Sequence, residues 1–104
     1  MNDYYYEKLF NIKTTGEQQG FYESHHYNRY EATSYTALET LFKEYPIKNT
    51  DTIVDFGCGK GRLAFYANYF FGSTVTGIEM NSYYFDTCIN YKKTYSKNSN
   101  KNND

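Results

Sequence analysis

At 104 residues the chain has the length of one domain at most, and its net charge of -1 with a pI near 6.1 gives no electrostatic case for nucleic acid or an anionic membrane as partner. Hydrophobic residues make up 39%, but 14 Tyr and 8 Phe shift that content towards aromatics, so each Tyr hydroxyl that becomes buried needs a hydrogen-bond partner. No export signal opens the chain, no stretch has transmembrane length, and Cys58 and Cys88 stand singly, so a cytoplasmic protein with reduced thiols is expected.

From Asp3 onward a Tyr cluster (Tyr4, Tyr5, Tyr6) leads to Leu9, Phe10 and Ile12, which suits a short helix, while Thr14 to Gly20 reads as loop. Phe21 to Glu31 has no clear period. It contains His25 and His26, but no Cys or carboxylate pair at ligand spacing accompanies them, so no metal site is expected. Tyr35, Leu38, Leu41, Phe42 and Tyr45 then recur at spacings of three and four, the stripe of an amphipathic helix. Thr33 or Thr36 can cap its start, Thr36 with Glu39 has capping-box spacing, and Pro46 ends it.

Thr52 to Phe56 is a short β-branched strand, followed by the turn Gly57-Cys58-Gly59-Lys60-Gly61. Arg62 to Phe71 carries Leu63, Tyr66, Ala67 and Phe70 on one helical face, with Gly72 placed as its left-handed terminal residue. Thr74 to Ile78 forms a second strand that leads to Glu79. Asn81 or Ser82 can cap a third helix, whose stripe of Tyr84, Phe85, Cys88 and Ile89 is expected to pack in the core. From Ser96 the chain is Lys, Asn, Ser and Asp only, and disorder is expected there. Residues 1–32 thus read as an N-terminal extension, 33–95 as a partial α/β domain and 96–104 as a polar tail. The order strand, helix, strand predicts a right-handed parallel β-α-β unit with a helix in front.

Such a unit binds ligands beyond the carboxyl ends of its strands. Gly57 and Gly59 allow the backbone to turn tightly and approach a ligand, and the helix start at Arg62 offers N–H donors. Glu79 lies 18 residues beyond Gly61, which suits a carboxylate accepting hydrogen bonds from ribose hydroxyls. The dinucleotide fingerprint G-x-G-x-x-G is not met, because the third glycine comes one residue early. The P-loop pattern is not met either, because no Gly-Lys-Ser/Thr follows. Asp55 would repel a pyrophosphate and favour a ligand with a positive centre. Lys60 and Arg62 are expected to be solvated residues at the helix start, and Cys58 a small space-filling residue.

The acid followed by G-x-G-x-G, with a second acid after the next strand, resembles the class I S-adenosylmethionine-dependent methyltransferases. Asp55, Gly57, Gly59 and Gly61 match their first motif and Glu79 their second. "VDFGCGKGR" followed by "VTGIEMN", with "YNRYEATSY" ahead of them, looks more specifically like a group of bacterial methyltransferases. The resemblance implies a Rossmann-like fold and binding of S-adenosylmethionine, with S-adenosylhomocysteine as product. Gly57, Cys58 and Gly59 would lie against the methionine moiety, Asp55 near its amino group, Glu79 on the ribose and Met80 along the adenine. Tyr27, Arg29, Tyr30 and Glu31 would form a lid or pack on the sheet.

The family's full domain resembles a seven-stranded sheet, of which only two strands are visible here. No Asn-Pro or Asp-Pro pair of the later motif occurs, so no catalytic residue is assigned and the methyl acceptor stays open. A two-stranded parallel sheet leaves open edges, and self-association through them is expected. The tail's Lys and Asn codons are A-rich, where frameshifts are common, so the expectation is a truncated product or an N-terminal fragment of a longer methyltransferase. Two alternatives are a non-catalytic remnant or nucleotide-binding module, and the half of a dinucleotide-binding oxidoreductase.

Overall fold

A computed structural model describes residues 2–15 and 32–95. The expectations for residues 16–31, including the candidate lid and the two histidines, and for the polar tail lie outside the described residues.

Helix α1 spans Asp3–Phe10. Asn2 starts it by accepting the Tyr5 N–H at 2.9 Å, and Asn11 ends it in the left-handed region at φ 61°. Helix α2 spans Tyr35–Glu44. Neither Thr33 nor Thr36 caps it: Ser34 does, accepting the Ala37 N–H at 3.0 Å. The anticipated box with Glu39 does not form, because that carboxylate accepts the Tyr6 hydroxyl of α1 instead. A tertiary contact thus takes the side chain that local spacing had assigned to the cap.

Strand β1 (Thr52–Phe56), helix α3 (Arg62–Phe71), strand β2 (Thr74–Ile78) and helix α4 (Ser82–Thr94) complete the chain order. The strands pair in parallel with Asp55 opposite Gly77, the α/β arrangement that the sequence pattern predicts. Gly72 closes α3 at φ 73°, its N–H on the Asn68 carbonyl at 2.9 Å. Asn81 caps α4 by accepting the Tyr84 N–H at 3.1 Å.

The core is largely aromatic. Phe10, Tyr35, Leu38, Phe65, Tyr66 and Ala67 are buried, and Tyr6 stacks on Tyr35 at 4.6 Å between ring centres. Phenols out of water find the partners they need: buried Tyr35 donates to Glu7 at 2.6 Å and half-buried Tyr95 to Asn68 Oδ1 at 2.8 Å. The apolar stripes are narrower than the sequence suggests. On α2 only Tyr35, Leu38 and Phe42 are buried, whereas Leu41 and Tyr45 are exposed. On α3 Phe70 is exposed and Phe65 takes a buried place; on α4 Tyr84 is buried but Phe85 and Ile89 are exposed. The reason is geometric, since a two-stranded sheet is too narrow to cover both flanks of the helices laid on it.

The first helix is tied to the last. Asn11 donates to the Thr94 carbonyl at 2.7 Å, Thr94 donates to the Asn11 carbonyl at 3.1 Å, and Tyr91 donates to the Lys13 carbonyl at 2.6 Å. On the other side of the sheet Val54, Phe56 and Ile78 are exposed. Among the described residues no helix is long and apolar enough to cross a membrane.

Candidate functional site

The turn after β1 is built from left-handed backbone that only glycine adopts without strain, with φ of 72° at Gly57, 58° at Gly59 and 97° at Gly61. The three glycines do different work. A Cβ at Gly57 would meet nothing within 4 Å, so this residue borders open space at the carboxyl end of β1. A Cβ at Gly61 would come within 2.8 Å of both Cys88 Sγ and the Phe65 ring, so Gly61 is required by packing.

The turn's N–H groups point inward. Gly57 and Cys58 both donate to the Ile78 carbonyl, at 2.6 and 3.1 Å, and Gly61 donates to the Cys58 carbonyl at 2.9 Å. Gly59 donates to Glu79 Oε1 at 2.7 Å, while Glu79 Oε2 accepts the Asn81 N–H at 2.9 Å. Glu79 therefore holds the turn after β1 to the start of α4, a role that its spacing did not reveal. Each carboxylate oxygen keeps a second lone pair for another donor. Gly61 brings no side-chain cap to α3, so the N–H groups of its first turn have no intrahelical acceptor.

Asp55 ends the covered face of β1, half-buried, and no hydrogen bond reaches its carboxyl among the described residues. Burial raises its pKa above the ordinary carboxylate value, and the nearby negative charge of Glu79 raises it further. An unpaired, partly buried carboxylate beside a second one is a site with a negative potential and, among the described residues, no cation to satisfy it.

Arg62 and Lys60 are not solvated as expected; both are buried. Arg62 Nε donates to Thr14 Oγ1 at 2.8 Å, Nη1 donates to the Thr33 carbonyl at 3.2 Å, and the guanidinium lies 4.2 Å over the Tyr35 ring. Asp3 adds a 4.0 Å ion pair. Glu7, also buried, accepts the Thr14 N–H, the Thr14 hydroxyl, the Thr15 N–H and the Tyr35 hydroxyl. Burial lowers the pKa of Lys60, with the Glu7 charge opposing that effect. This network anchors the N-terminal segment to the first residue of α3. The only hint of it in the sequence is a carboxylate set among the apolar positions of α1.

The model of a methyltransferase domain family matches residues 31–104, most of the chain and all of the β-α-β unit. The chain belongs to this methyltransferase domain family. It is also 42% identical over 43 residues to sphingolipid C9-methyltransferase A of Emericella nidulans, a match covering 41% of this chain and 8% of that protein. The chain thus spans a small part of the curated relative that it matches. No solved structure matches it.

Membership in a methyltransferase family implies a methyl donor. The domain brings Asp55, Gly57, Cys58, Gly59 and Glu79 together at the carboxyl ends of the two strands, with Gly61 behind them in the packing. Met80 follows at the rim and is 96% exposed. The donor set fits a ligand with a cationic centre near Asp55 and a hydroxyl-bearing part near Glu79. The open space over Gly57 lets such a ligand approach the backbone. Among the described residues no cluster of three metal-ligating side chains occurs.

Proposed function

We propose that this chain is the cofactor-binding portion of an S-adenosylmethionine-dependent methyltransferase. The observation that carries the reading is the unpaired, half-buried Asp55 carboxyl beside the open face of Gly57. A sulfonium ligand with an α-amino group supplies the positive charge that this carboxylate lacks, whereas a pyrophosphate would be repelled. Glu79 would accept ribose hydroxyls on its remaining lone pairs while keeping its hold on Gly59, and Met80 would flank the adenine. Bound there, the cofactor supplies an electrophilic methyl group. The chain's own residues bind and orient it.

Isothermal calorimetry with S-adenosylhomocysteine and, separately, NAD tests the reading. Binding of the first without the second is expected. Binding of NAD alone would favour the oxidoreductase reading, and binding of neither would leave a remnant without cofactor affinity. The two-stranded sheet and the small share of the relative covered support assigning the acceptor-side and catalytic residues to sequence outside this chain. The exposed Val54, Phe56 and Ile78 support self-association of the chain in isolation. A reducing, cytoplasmic setting accords with two free thiols.

A further inference from the structure

Cys58 and Cys88 lie thirty residues apart in sequence, yet the fold brings their thiols together. Cys58 leaves the glycine-rich turn and lies over Gly77 of β2, where a Cβ on Gly77 would sit 2.6 Å from its Sγ. Cys88 comes down from α4 onto Gly61 of the same turn, where a Cβ would sit 2.8 Å from its Sγ. Two positions without side chains thus make room for the two sulfurs, which lie close enough for each to perturb the other's ionisation. Both are free and line one open cavity of about 520 Å³, shared with Phe65, Val75, Phe85, Ile89 and Lys92, which gives an oxidant access.

We propose that Cys58 and Cys88 are a redox-modification site, forming a reversible disulfide that clamps the glycine-rich turn to α4. The co-reactant is a low-molecular-weight disulfide such as oxidised glutathione. One protein thiolate attacks a glutathione sulfur, forming a mixed disulfide and expelling one glutathione thiolate. The second protein thiolate attacks the protein sulfur of that mixed disulfide, forming the Cys58–Cys88 bond and expelling the second glutathione. The two protons lost by the protein thiols end on the two glutathiones, and the protein gives up two electrons.

The Cys58 thiol donates to the Gly59 carbonyl at 3.9 Å, and either protein thiol makes the first attack once ionised. Burial pushes both thiols up, Cys58 to about 12, with the charges of Asp55 and Glu79 adding to the effect. Few thiolates form at neutral pH, so exchange is slow. The same burial leaves the reduced pair without thiolate stabilisation, which favours the disulfide once formed.

The test incubates the full chain with oxidised glutathione at pH 8, then quenches it with acid and digests it for mass spectrometry. A linked Cys58–Cys88 peptide in monomeric protein lighter by two hydrogens is expected. It should disappear on reduction and raise Tm by about 10 °C while present. The same incubation in 8 M urea should give at least tenfold less of the linked species, because the fold supplies the proximity. Cys58→Ser and Cys88→Ser should each stop at a single glutathione adduct. Glutathione adducts on both cysteines of the native chain, intermolecular dimers alone, or equal linking in urea would overturn the proposal.

Discussion

Glu79 accepts the Gly59 N–H at 2.7 Å, so a carboxylate just beyond β2 holds the turn that follows β1. Its other oxygen accepts the Asn81 N–H at 2.9 Å, where α4 begins. One side chain therefore joins three elements at the end of the sheet where the cofactor is proposed to lie, and its ligand-binding and structural roles can be separated by substitution.

Glu79→Ala removes both the acceptor for Gly59 and the acceptor proposed for ribose. Stability should fall by about 1–3 kcal/mol, the cost of leaving partly buried N–H groups unpaired. Affinity for S-adenosylhomocysteine should fall about ten- to a hundredfold, the worth of a charge-assisted hydrogen bond. Glu79→Gln keeps an acceptor oxygen for Gly59 and should recover most of the stability but less of the affinity. Urea titration and calorimetry on the same samples read the two effects. Equal affinity in all three proteins would remove Glu79 from the ligand site.

Asp55 gives the opposite pairing of effects. Its pKa is raised in the folded chain, first by burial and then by Glu79, so the folded state binds its proton more tightly than the unfolded state does. The associated stabilisation is present in full below the ordinary aspartate value and is lost as pH rises through the raised one. At neutral pH the charged carboxylate therefore costs stability. Asp55→Asn should raise Tm at pH 7, with the gain vanishing in acid where Asp55 is protonated in both states. If Asp55 meets a ligand ammonium, the same variant should bind S-adenosylhomocysteine about ten- to a hundredfold more weakly. A lower Tm at pH 7 would show that the carboxylate has a stabilising partner.

Much of this architecture is legible in the sequence, because strand, glycine turn, helix and acid fall at spacings that local geometry enforces. β1, α3 and β2 have the bounds that the β-branched runs and Gly72 indicate. What the pattern hides is non-local. Ser34 caps α2, while Glu39 is engaged by Tyr6 across the helix interface instead of in a capping box. By its position in the sequence Arg62 belongs at a solvated helix start, but Thr14 of the N-terminal segment and Tyr35 of α2 cover it. The meeting of Cys58 and Cys88 likewise depends on where α4 lands, which no local spacing encodes.

The buried network around Arg62 makes a prediction about coupling. Arg62→Ala loses two charge-assisted hydrogen bonds and a cation–aromatic contact, and should cost about 3 kcal/mol. Arg62→Lys keeps the charge but not the planar fork, and should recover only part of that loss. Glu7→Ala leaves Thr14 and Tyr35 without their acceptor and should cost about as much. Both residues act through Thr14 and Tyr35, so the double variant should lose less than the sum of the single losses. Denaturant titration of the four proteins measures the coupling, and strict additivity would show that Glu7 and Arg62 act independently.

The exposed side of the sheet should govern association. Val54 and Phe56 of β1 and Ile78 of β2 form an apolar surface beside two strand edges that are unpaired among the described residues. Phe56→Lys, at a position 77% exposed, should leave Tm nearly unchanged while lowering the average mass of the chain in sedimentation at micromolar concentration. An unchanged mass distribution would place self-association elsewhere.

The two glycines at the ends of the motif should respond differently to one added methyl group. At Gly57 the left-handed backbone at φ 72° costs an alanine about 1 kcal/mol, and its Cβ points into open space. Gly57→Ala should therefore remain folded, with Tm lowered by several degrees, and lose ligand affinity because the methyl group stands where the ligand approaches. At Gly61 the same strain is joined by collisions with Cys88 Sγ and the Phe65 ring. Phe65 belongs to the core, so relief must displace either its ring or α4, and such overpacking costs about 1–3 kcal/mol more. Gly61→Ala should lose far more stability than Gly57→Ala. Thermal denaturation ranks the pair, and calorimetry at a temperature where both are folded reads binding. Equal destabilisation with unchanged affinity at Gly57 would mean that the space above it is not the ligand's.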